Sequence, residues 1–349
     1  MSDFPSARRV IQSGLDAHAF PAASIDVGRQ SQSRWQESFG RLTYDADAPA
    51  CGRATIFDLA SLTKVIATTS IAMRLVVEGR LELDEAVRRY VPAFTEGERT
   101  AITIRHLLTH ASGLPAHARL WETASGRAAF EEAIVRLPLE RTPGAQAVYS
   151  DPGFMLLGFA LEAAGGAGLD EQFRPIGAVA GEVMFRPGVD LIDRIAPTEQ
   201  DPWRGRLLRG EVHDENAAAL GGVAPQAGLF GTARAVGAFA RMVLRTFREP
   251  TPLGTPASMH LFAARSNVPG SSRALGWDTM LPTSSCGTRL FPTAIGHTGF
   301  TGTSLWIDAE NDLYVVFLTN RVHPTRENNA LAALRPKVHD AVVEDLGKY

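Results

Sequence analysis

Short apolar runs near both ends of the chain have the pattern of β-strands. Residues 22–28 and 34–42 form one pair of such runs, and a polar turn joins them. Residues 303–308 and 313–320 form a second pair, again separated by a short polar segment. Strand-like runs joined by so few polar residues are typical of β-hairpins. The pattern therefore predicts one hairpin near each end of the chain.

Helical periodicity dominates the remaining sequence. Residues 6–18 are amphipathic, residues 330–346 form a predicted closing helix, and the segment from about 83 to about 261 is mostly helical with Gly/Pro-rich breaks. Thr103 is predicted to cap a helix over 104–110, and Asp84 to cap a helix that runs toward Tyr90. Further helices are predicted over 152–164 and 233–247.

This arrangement predicts an α+β fold. One antiparallel sheet is built from both chain ends and flanked by helices, and a mostly helical domain is inserted between the two halves of the sheet. We place the α/β domain at residues 1–82 and 265–349 and the helical domain at 83–264. Because clefts commonly form between domains, the functional site is expected at their junction.

The composition of the chain indicates which kinds of partner and which cellular compartment to expect. The chain has 349 residues, of which 45% are apolar, and a formal net charge of −3, so neither nucleic acid nor an anionic membrane surface is an expected partner. No apolar stretch is long enough for a membrane span, and no signal peptide is recognised. The two cysteines, Cys51 and Cys286, suit a reducing compartment. We therefore expect a cytoplasmic protein; its oligomeric state is not predicted.

Ser61 and Lys64 form the first motif that carries chemistry. They lie three residues apart at the start of an apolar helical run that Gly79 ends, so the two side chains share one helix face. The dipole at a helix start favours negative charge, which suits a serine that becomes an alkoxide. This is the S-x-x-K arrangement of acyl-transferring serine enzymes. The alternative is a serine that merely caps the helix beside an exposed lysine.

Two further motifs supply candidate partners for that serine. Tyr149 begins a Tyr-Ser-Asp sequence just before a predicted helix, and a nearby lysine is expected to lower its pKa, so that it can exchange a proton with Ser61. The segment 296–302 is rich in glycine and leads toward a strand, so that a substrate can approach the backbone. Within it, the Phe300 N–H is predicted to form an oxyanion hole with the Ser61 N–H.

Taken in this order, the three motifs resemble those of the class C β-lactamase-like serine hydrolases. Residues 104–114 and 221–232 are similar to two other segments of that family. The resemblance implies an α/β domain with an all-helical domain, and a site free of metals and cofactors. It also implies the following roles: Ser61 as nucleophile, Lys64 as its partner, Tyr149 as general base and acid, and Asp151, His297, Thr298 and Gly299 as substrate-binding residues.

Two departures from the family pattern bear on the substrate. Asp151 stands where the family usually has asparagine; an ionised carboxylate cannot donate to a substrate amide, although it can pair with Lys64. His297 stands where lysine is usual, and a neutral histidine is a weaker anchor for a substrate carboxylate. Both departures argue against β-lactams as substrates and leave the hydrolysis of small esters or amides. We expect a carboxylesterase acting on small acyl esters. The alternatives are a penicillin-binding-type peptidase or amidase acting on short peptides, and a non-catalytic relative that binds a ligand in the same cleft.

Other site types find less support in the sequence. An α/β-hydrolase would need a serine flanked by glycines at −2 and +2, and the chain has none. His106 and His110 are spaced like two zinc ligands on a helix, but the glutamate of the zinc motif is missing. We therefore expect no metal, no cofactor, and a small-molecule ester or amide as the only ligand.

Overall fold

The largest element of the structure is a six-stranded antiparallel sheet with the strand order β2-β1-β11-β10-β9-β8. The computed structural model describes residues 4–347. The strands of this sheet are β1 (Ala22–Gly28), β2 (Ser33–Gly40), β8 (Asp278–Thr279), β9 (Ile295–Thr298), β10 (Ser304–Asp308) and β11 (Leu313–Thr319). Both ends of the chain contribute strands, as predicted, and the fold class is confirmed.

Two smaller sheets lie outside the main one and were not predicted. They are formed by β3 (Phe57–Asp58), β4 (Val183–Phe185) and β7 (Leu229–Gly231), and by β5 (Gln200–Asp201) and β6 (Arg206–Leu207). Each strand has only two or three residues, too few for alternation to be visible in the sequence. The first of these sheets matters for function because β3 leads directly into Ser61.

Ten α-helices surround the sheets in the described part of the chain. They are α1 (Pro5–Asp16), α2 (Ser70–Val77), α3 (Ile104–Leu108), α4 (Gly126–Arg136), α5 (Asp151–Gly165), α6 (Leu169–Ala180), α7 (Glu215–Ala219), α8 (Ala233–Thr246), α9 (Pro256–Ala263) and α10 (Ala330–Leu346). Thr103 caps α3, as predicted, by accepting a hydrogen bond from the His106 N–H. The helix predicted after Asp84 is wrong: only a 3₁₀ turn, Val87–Arg89, forms there. The Asp84 side chain instead pairs with Arg105.

Both faces of the main sheet are covered. Along β11, Val315 and Phe317 point into a core shared with α1 and α10, whereas Val316 and Leu318 point into a second core shared with α8. Because alternate residues of a strand face opposite sides, a strand buried on both faces has a continuous apolar sequence, as β11 does. Helix α8 packs on the sheet although it lies within the range predicted for the helical domain.

No single helix within residues 4–347 has the length and apolar composition needed to span a membrane. Helices α5 and α6 meet that requirement only as a pair, and the chain bends by 87° at the break between them. Most of α5 is buried inside the protein.

Candidate active site

Ser61 lies in a tight turn held from two sides. On one side, β3 pairs with β7, and the Leu59 N–H donates to the Leu229 carbonyl. On the other, the Thr303 hydroxyl donates to the Leu59 carbonyl over 3.0 Å. Ala60, next in the chain, has a φ of 46°, a left-handed conformation that is unfavourable for a residue with a side chain. Strain of this kind persists where the surroundings fix the backbone, as they do here around the serine.

Lys64 begins a π-helix, Lys64–Thr69, that continues into α2. Its side chain is fully buried, and its Nζ lies 3.0 Å from the Ser61 Oγ, 3.1 Å from the Gln226 carbonyl and 2.8 Å from the Asp151 Oδ1. These three oxygens match the three N–H donors of an ammonium. Burial works to lower the pKa of Lys64, but the charge of Asp151 and the contacts with Asp151 and Tyr149 outweigh burial and raise it above its ordinary value. The resting lysine is therefore a cation.

Tyr149 is the second side chain that contacts the Ser61 hydroxyl. Its hydroxyl donates to the Ser61 Oγ over 2.9 Å, and its ring packs against the buried His110. Burial raises the pKa of Tyr149; Lys64 opposes this shift, but Asp151 adds to it. The lower pKa expected from the sequence is thus wrong in direction, because the sequence shows the neighbouring lysine but not the burial. The resting tyrosine is protonated.

Asp151 is the first residue of α5. The Ser150 side chain caps that helix by accepting from the Gly153 N–H over 3.0 Å, which fixes the backbone of the Tyr-Ser-Asp motif. The Asp151 Oδ1 faces Lys64, and its Oδ2 lies 3.0 Å from the Nδ1 of His117. Burial alone would raise the pKa of Asp151, but Lys64 and His117 lower it to about 2. The predicted Asp151–Lys64 ion pair is confirmed.

His297 lies in β9 opposite Leu305 of β10 and lines the cavity in front of Ser61. Its Nδ1 donates to the Thr298 carbonyl over 2.7 Å, since a carbonyl can only accept. Burial and the charge of Arg273 hold the pKa of His297 well below its usual range, so this histidine is neutral. The other ring nitrogen, Nε2, is buried without a hydrogen-bond partner. Thr298 and Gly299 also line the cavity.

The backbone N–H groups of Ser61 and Phe300 are the predicted oxyanion hole. Among the hydrogen bonds within residues 4–347, neither N–H has a protein acceptor. The Phe300 ring contacts the Arg321 guanidinium, 4.6 Å from its centre, and stacks against the His213 ring at 5.7 Å. Arg321 also donates to the Phe300 carbonyl over 2.9 Å. Two unpaired donors beside a nucleophile suit the developing negative charge of an acyl-transfer intermediate.

A cavity of about 640 Å³ opens in front of these groups. All of the predicted substrate-binding residues line it, together with residues that the sequence did not indicate, including His117, Arg273 and Arg335. Each of these comes from a loop or helix distant in sequence from the three motifs, so no local pattern marks it. Their proximity to Ser61 is a property of the fold.

Arg273 and Arg335 give the cavity a positive character. The Arg273 guanidinium lies 5.3 Å from the centre of the Tyr149 ring. Burial lowers the pKa of Arg335 to about 10, which still leaves it charged at neutral pH, and its Nε has no hydrogen-bond partner. Neither arginine forms an ion pair within residues 4–347. Their charges are therefore available to an anionic group of a ligand.

No group of three or more His, Cys, Asp or Glu side chains within residues 4–347 is arranged to hold a metal ion. The two histidines with zinc-like spacing, His106 and His110, accept hydrogen bonds from backbone N–H groups instead. His106 accepts from the Thr103 N–H, and His110 accepts from the Ser150 N–H.

Comparisons with known proteins agree on one family. The sequence model of the Beta-lactamase family matches residues 7–339. An Escherichia coli (strain K12) protein described as "Putative D-alanyl-D-alanine carboxypeptidase" is 32% identical over 354 residues, which cover 87% of this chain and 79% of that protein.

Two solved structures share the fold at low sequence identity. EstCE1, described as a hydrolase with promiscuous acyltransferase activity, aligns with a TM-score of 0.78 at 20% identity, covering 97% of this chain and 98% of its own. A penicillin-binding protein homologue from Caulobacter crescentus aligns with a TM-score of 0.76 at 18% identity, covering 97% of both chains.

Proposed function

Since the chain belongs to the β-lactamase family of serine hydrolases, we propose that it hydrolyses small acyl esters through an acyl-enzyme on Ser61. The observation that carries this proposal is the contact of the Ser61 Oγ with both Lys64 and Tyr149, at 3.0 and 2.9 Å. A serine is a weak nucleophile until a neighbouring base takes its proton. The two unpaired N–H groups at Ser61 and Phe300 complete the requirements for acyl transfer.

Acylation begins from a site that has lost one proton. In the resting state Lys64 is an ammonium and Tyr149 a phenol, so neither can accept the Ser61 proton. Because the two groups interact closely, they titrate as a pair, and the active form is the pair with one proton fewer. Tyr149 then takes the Ser61 proton as the Oγ attacks the acyl carbon. The carbonyl oxygen becomes an oxyanion beside the Ser61 and Phe300 N–H groups.

Asp151 favours esters over amides in two ways. As a carboxylate with a pKa of about 2, it offers no N–H to a substrate amide carbonyl. It also keeps a proton on the Lys64–Tyr149 pair, which lowers the fraction of enzyme able to activate the serine. An ester with a good leaving group tolerates this, because the departing alkoxide or phenoxide needs less help from an acid than an amine does.

A second candidate function is that of a carboxypeptidase acting on short peptides. The observation in its favour is the pair of arginines in the cavity, Arg273 and Arg335, whose charges suit the free carboxylate of a peptide. The name of the Escherichia coli relative points the same way. In that case the acyl group comes from the peptide, and its last residue is the leaving group.

One comparison of substrates separates the two candidates. We would measure kcat/KM for p-nitrophenyl butyrate and for a peptide ending in D-alanyl-D-alanine, using the wild type, Ser61→Ala and Arg273→Gln, with a chelator present. The esterase proposal predicts turnover of the ester only, abolished by Ser61→Ala and little changed by Arg273→Gln. Peptide turnover that falls with Arg273→Gln would favour the carboxypeptidase, and absence of both activities would reject both candidates.

A further inference from the structure

Asp151 joins the catalytic lysine to a histidine that no motif includes. One carboxylate oxygen faces Lys64, and the other lies 3.0 Å from the Nδ1 of His117. The loop that carries His117 is fixed beside the start of α5, because the Asp151 N–H donates to the Ala116 carbonyl and the Ser150 hydroxyl donates to the Pro115 carbonyl. The His117 side chain is 74% exposed and lines the same cavity as Ser61.

The partner of His117 determines which ring nitrogen carries hydrogen. A carboxylate only accepts hydrogen bonds, so the Nδ1 of His117 is the donor, and in the neutral ring Nε2 then holds a free lone pair. No hydrogen bond within residues 4–347 involves that Nε2. A carboxylate that orients an imidazole, with the second nitrogen open to water, is an arrangement suited to a general base.

The proton balance of ester hydrolysis leaves a task for such a base. During acylation the Ser61 proton moves to Tyr149, and the phenoxide of an activated aryl ester, such as p-nitrophenyl butyrate, departs without taking it. Tyr149 is then a phenol in the acyl-enzyme and cannot accept a proton from water. Its hydroxyl, 2.9 Å from the Ser61 Oγ, is instead placed to return the proton when the acyl bond breaks.

We propose that His117, oriented by Asp151, is the general base that activates water for hydrolysis of the acyl-enzyme; this rests on the function proposed above. The Nε2 of His117 takes a proton from water while the water oxygen bonds to the acyl carbon, and the carbonyl oxygen becomes the oxyanion. The bond from that carbon to the Ser61 Oγ then breaks, and Tyr149 gives its proton to Oγ. The exposed His117 releases the extra proton to solvent.

The charges around His117 support this assignment. The hydrogen bond to Asp151 raises the pKa of His117 above its ordinary value; Asp214 also raises it, whereas Lys64 lowers it. A base with a pKa near the working pH combines a useful unprotonated fraction with a good proton affinity. Hydrolysis of the acyl-enzyme is therefore expected to fail at low pH, as His117 becomes protonated.

The test separates the two half-reactions. We would compare the wild type, His117→Gln and His117→Ala with p-nitrophenyl butyrate by stopped-flow absorbance and intact-protein mass spectrometry. The glutamine amide can still donate to Asp151 but cannot accept a proton. We expect both variants to keep the wild-type kcat/KM, to show a burst of p-nitrophenol equal to the enzyme concentration, and to have kcat lowered about 10²–10⁴-fold. The acyl adduct should accumulate on both.

The control is His260→Gln, which replaces an exposed histidine on α9 outside the cavity and should behave as the wild type. If His117→Gln hydrolyses its acyl-enzyme as fast as the wild type, His117 only positions Asp151 and the proposal is overturned. A fall in kcat/KM equal to that in kcat would also overturn it. If Ser61 forms no acyl adduct even in the wild type, the proposed function itself fails. That outcome differs from an adduct that forms in His117→Gln and decays at the wild-type rate, which rejects only the role of His117.

Discussion

Replacing Asp151 with asparagine should shift the pH dependence of acylation toward acid. The carboxylate lies 2.8 Å from the Lys64 Nζ and holds a proton on the Lys64–Tyr149 pair, so the active form appears only at higher pH. Asparagine keeps the size of the side chain but removes the charge. Without that charge the pair loses its proton more readily, and the acidic limb of kcat/KM moves to lower pH.

The distance sets the size of this shift. Two unit charges about 4 Å apart interact by about 4 kcal/mol at an effective dielectric constant of about 20. At about 1.4 kcal/mol per pKa unit, an interaction of this size corresponds to a shift of about 3 units. One neighbouring charge typically moves a pKa by about 1–3 units. We therefore expect the acidic limb of Asp151→Asn to lie about 1–3 pH units below that of the wild type.

The assay is kcat/KM for p-nitrophenyl butyrate across the pH range in which the enzyme is folded. This ratio reports the free enzyme and the acylation steps, so it is insensitive to the loss of the Asp151–His117 contact in later steps. Glu211→Gln is a matched control, because it removes a carboxylate that pairs with Arg206 away from the cavity. A limb that stays in place, or moves to higher pH, would refute the assignment of Asp151 as the group that holds this proton.

Three further predictions follow from the same geometry. Tyr149→Phe keeps the ring but removes the hydroxyl, so kcat/KM should fall about 10²–10⁴-fold while the melting temperature is retained; full activity would exclude Tyr149 as the proton carrier. Gly299→Ala would place a methyl group 2.1 Å from the Thr303 Oγ1 and 2.6 Å from the Leu59 carbonyl. Both the melting temperature and kcat/KM should therefore fall, and an unchanged variant would contradict the described packing of Gly299 against the turn before Ser61. Asp151 has a folded-state pKa of about 2 against about 3.9 in unfolded chains, so its stabilising effect is present above pH 4 and is lost as the pH falls toward 2. In denaturant unfolding, the free energy of unfolding of Asp151→Asn should therefore not fall in this pH range as that of the wild type does. An identical pH dependence of the two proteins would refute this prediction.

The sequence predicted the strands well where burial leaves a regular signal. Strand β11 is apolar throughout because alternate residues enter two different cores, and this continuous run was recognisable without the structure. The helix expected after Asp84 failed for a physical reason. The Asp84 carboxylate pairs with Arg105, distant in sequence, at 2.6 Å. The Val87 N–H donates to the Ile102 carbonyl and not to a carbonyl one helical turn earlier, so a helix does not form.

In the functional site too, contacts between residues close in sequence could be predicted, whereas contacts that depend on the fold could not. Lys64 lies three residues from Ser61, so their contact follows from helix geometry alone. The pKa of Tyr149 could not be predicted, because its direction depends on burial and on the carboxylate of Asp151 as well as on the lysine. His117, Arg273 and Arg335 reach the cavity from separate segments, and only the fold brings them to Ser61.

The most direct test of the account is the identity of the residue that carries the acyl group. The wild type and Ser61→Ala would be mixed with p-nitrophenyl butyrate, quenched in acid within milliseconds, digested and mapped by mass spectrometry. The account predicts one butyryl group on the peptide that contains Ser61 in the wild type, and no adduct and no turnover in Ser61→Ala. An adduct on another residue, or undiminished turnover by Ser61→Ala, would contradict it.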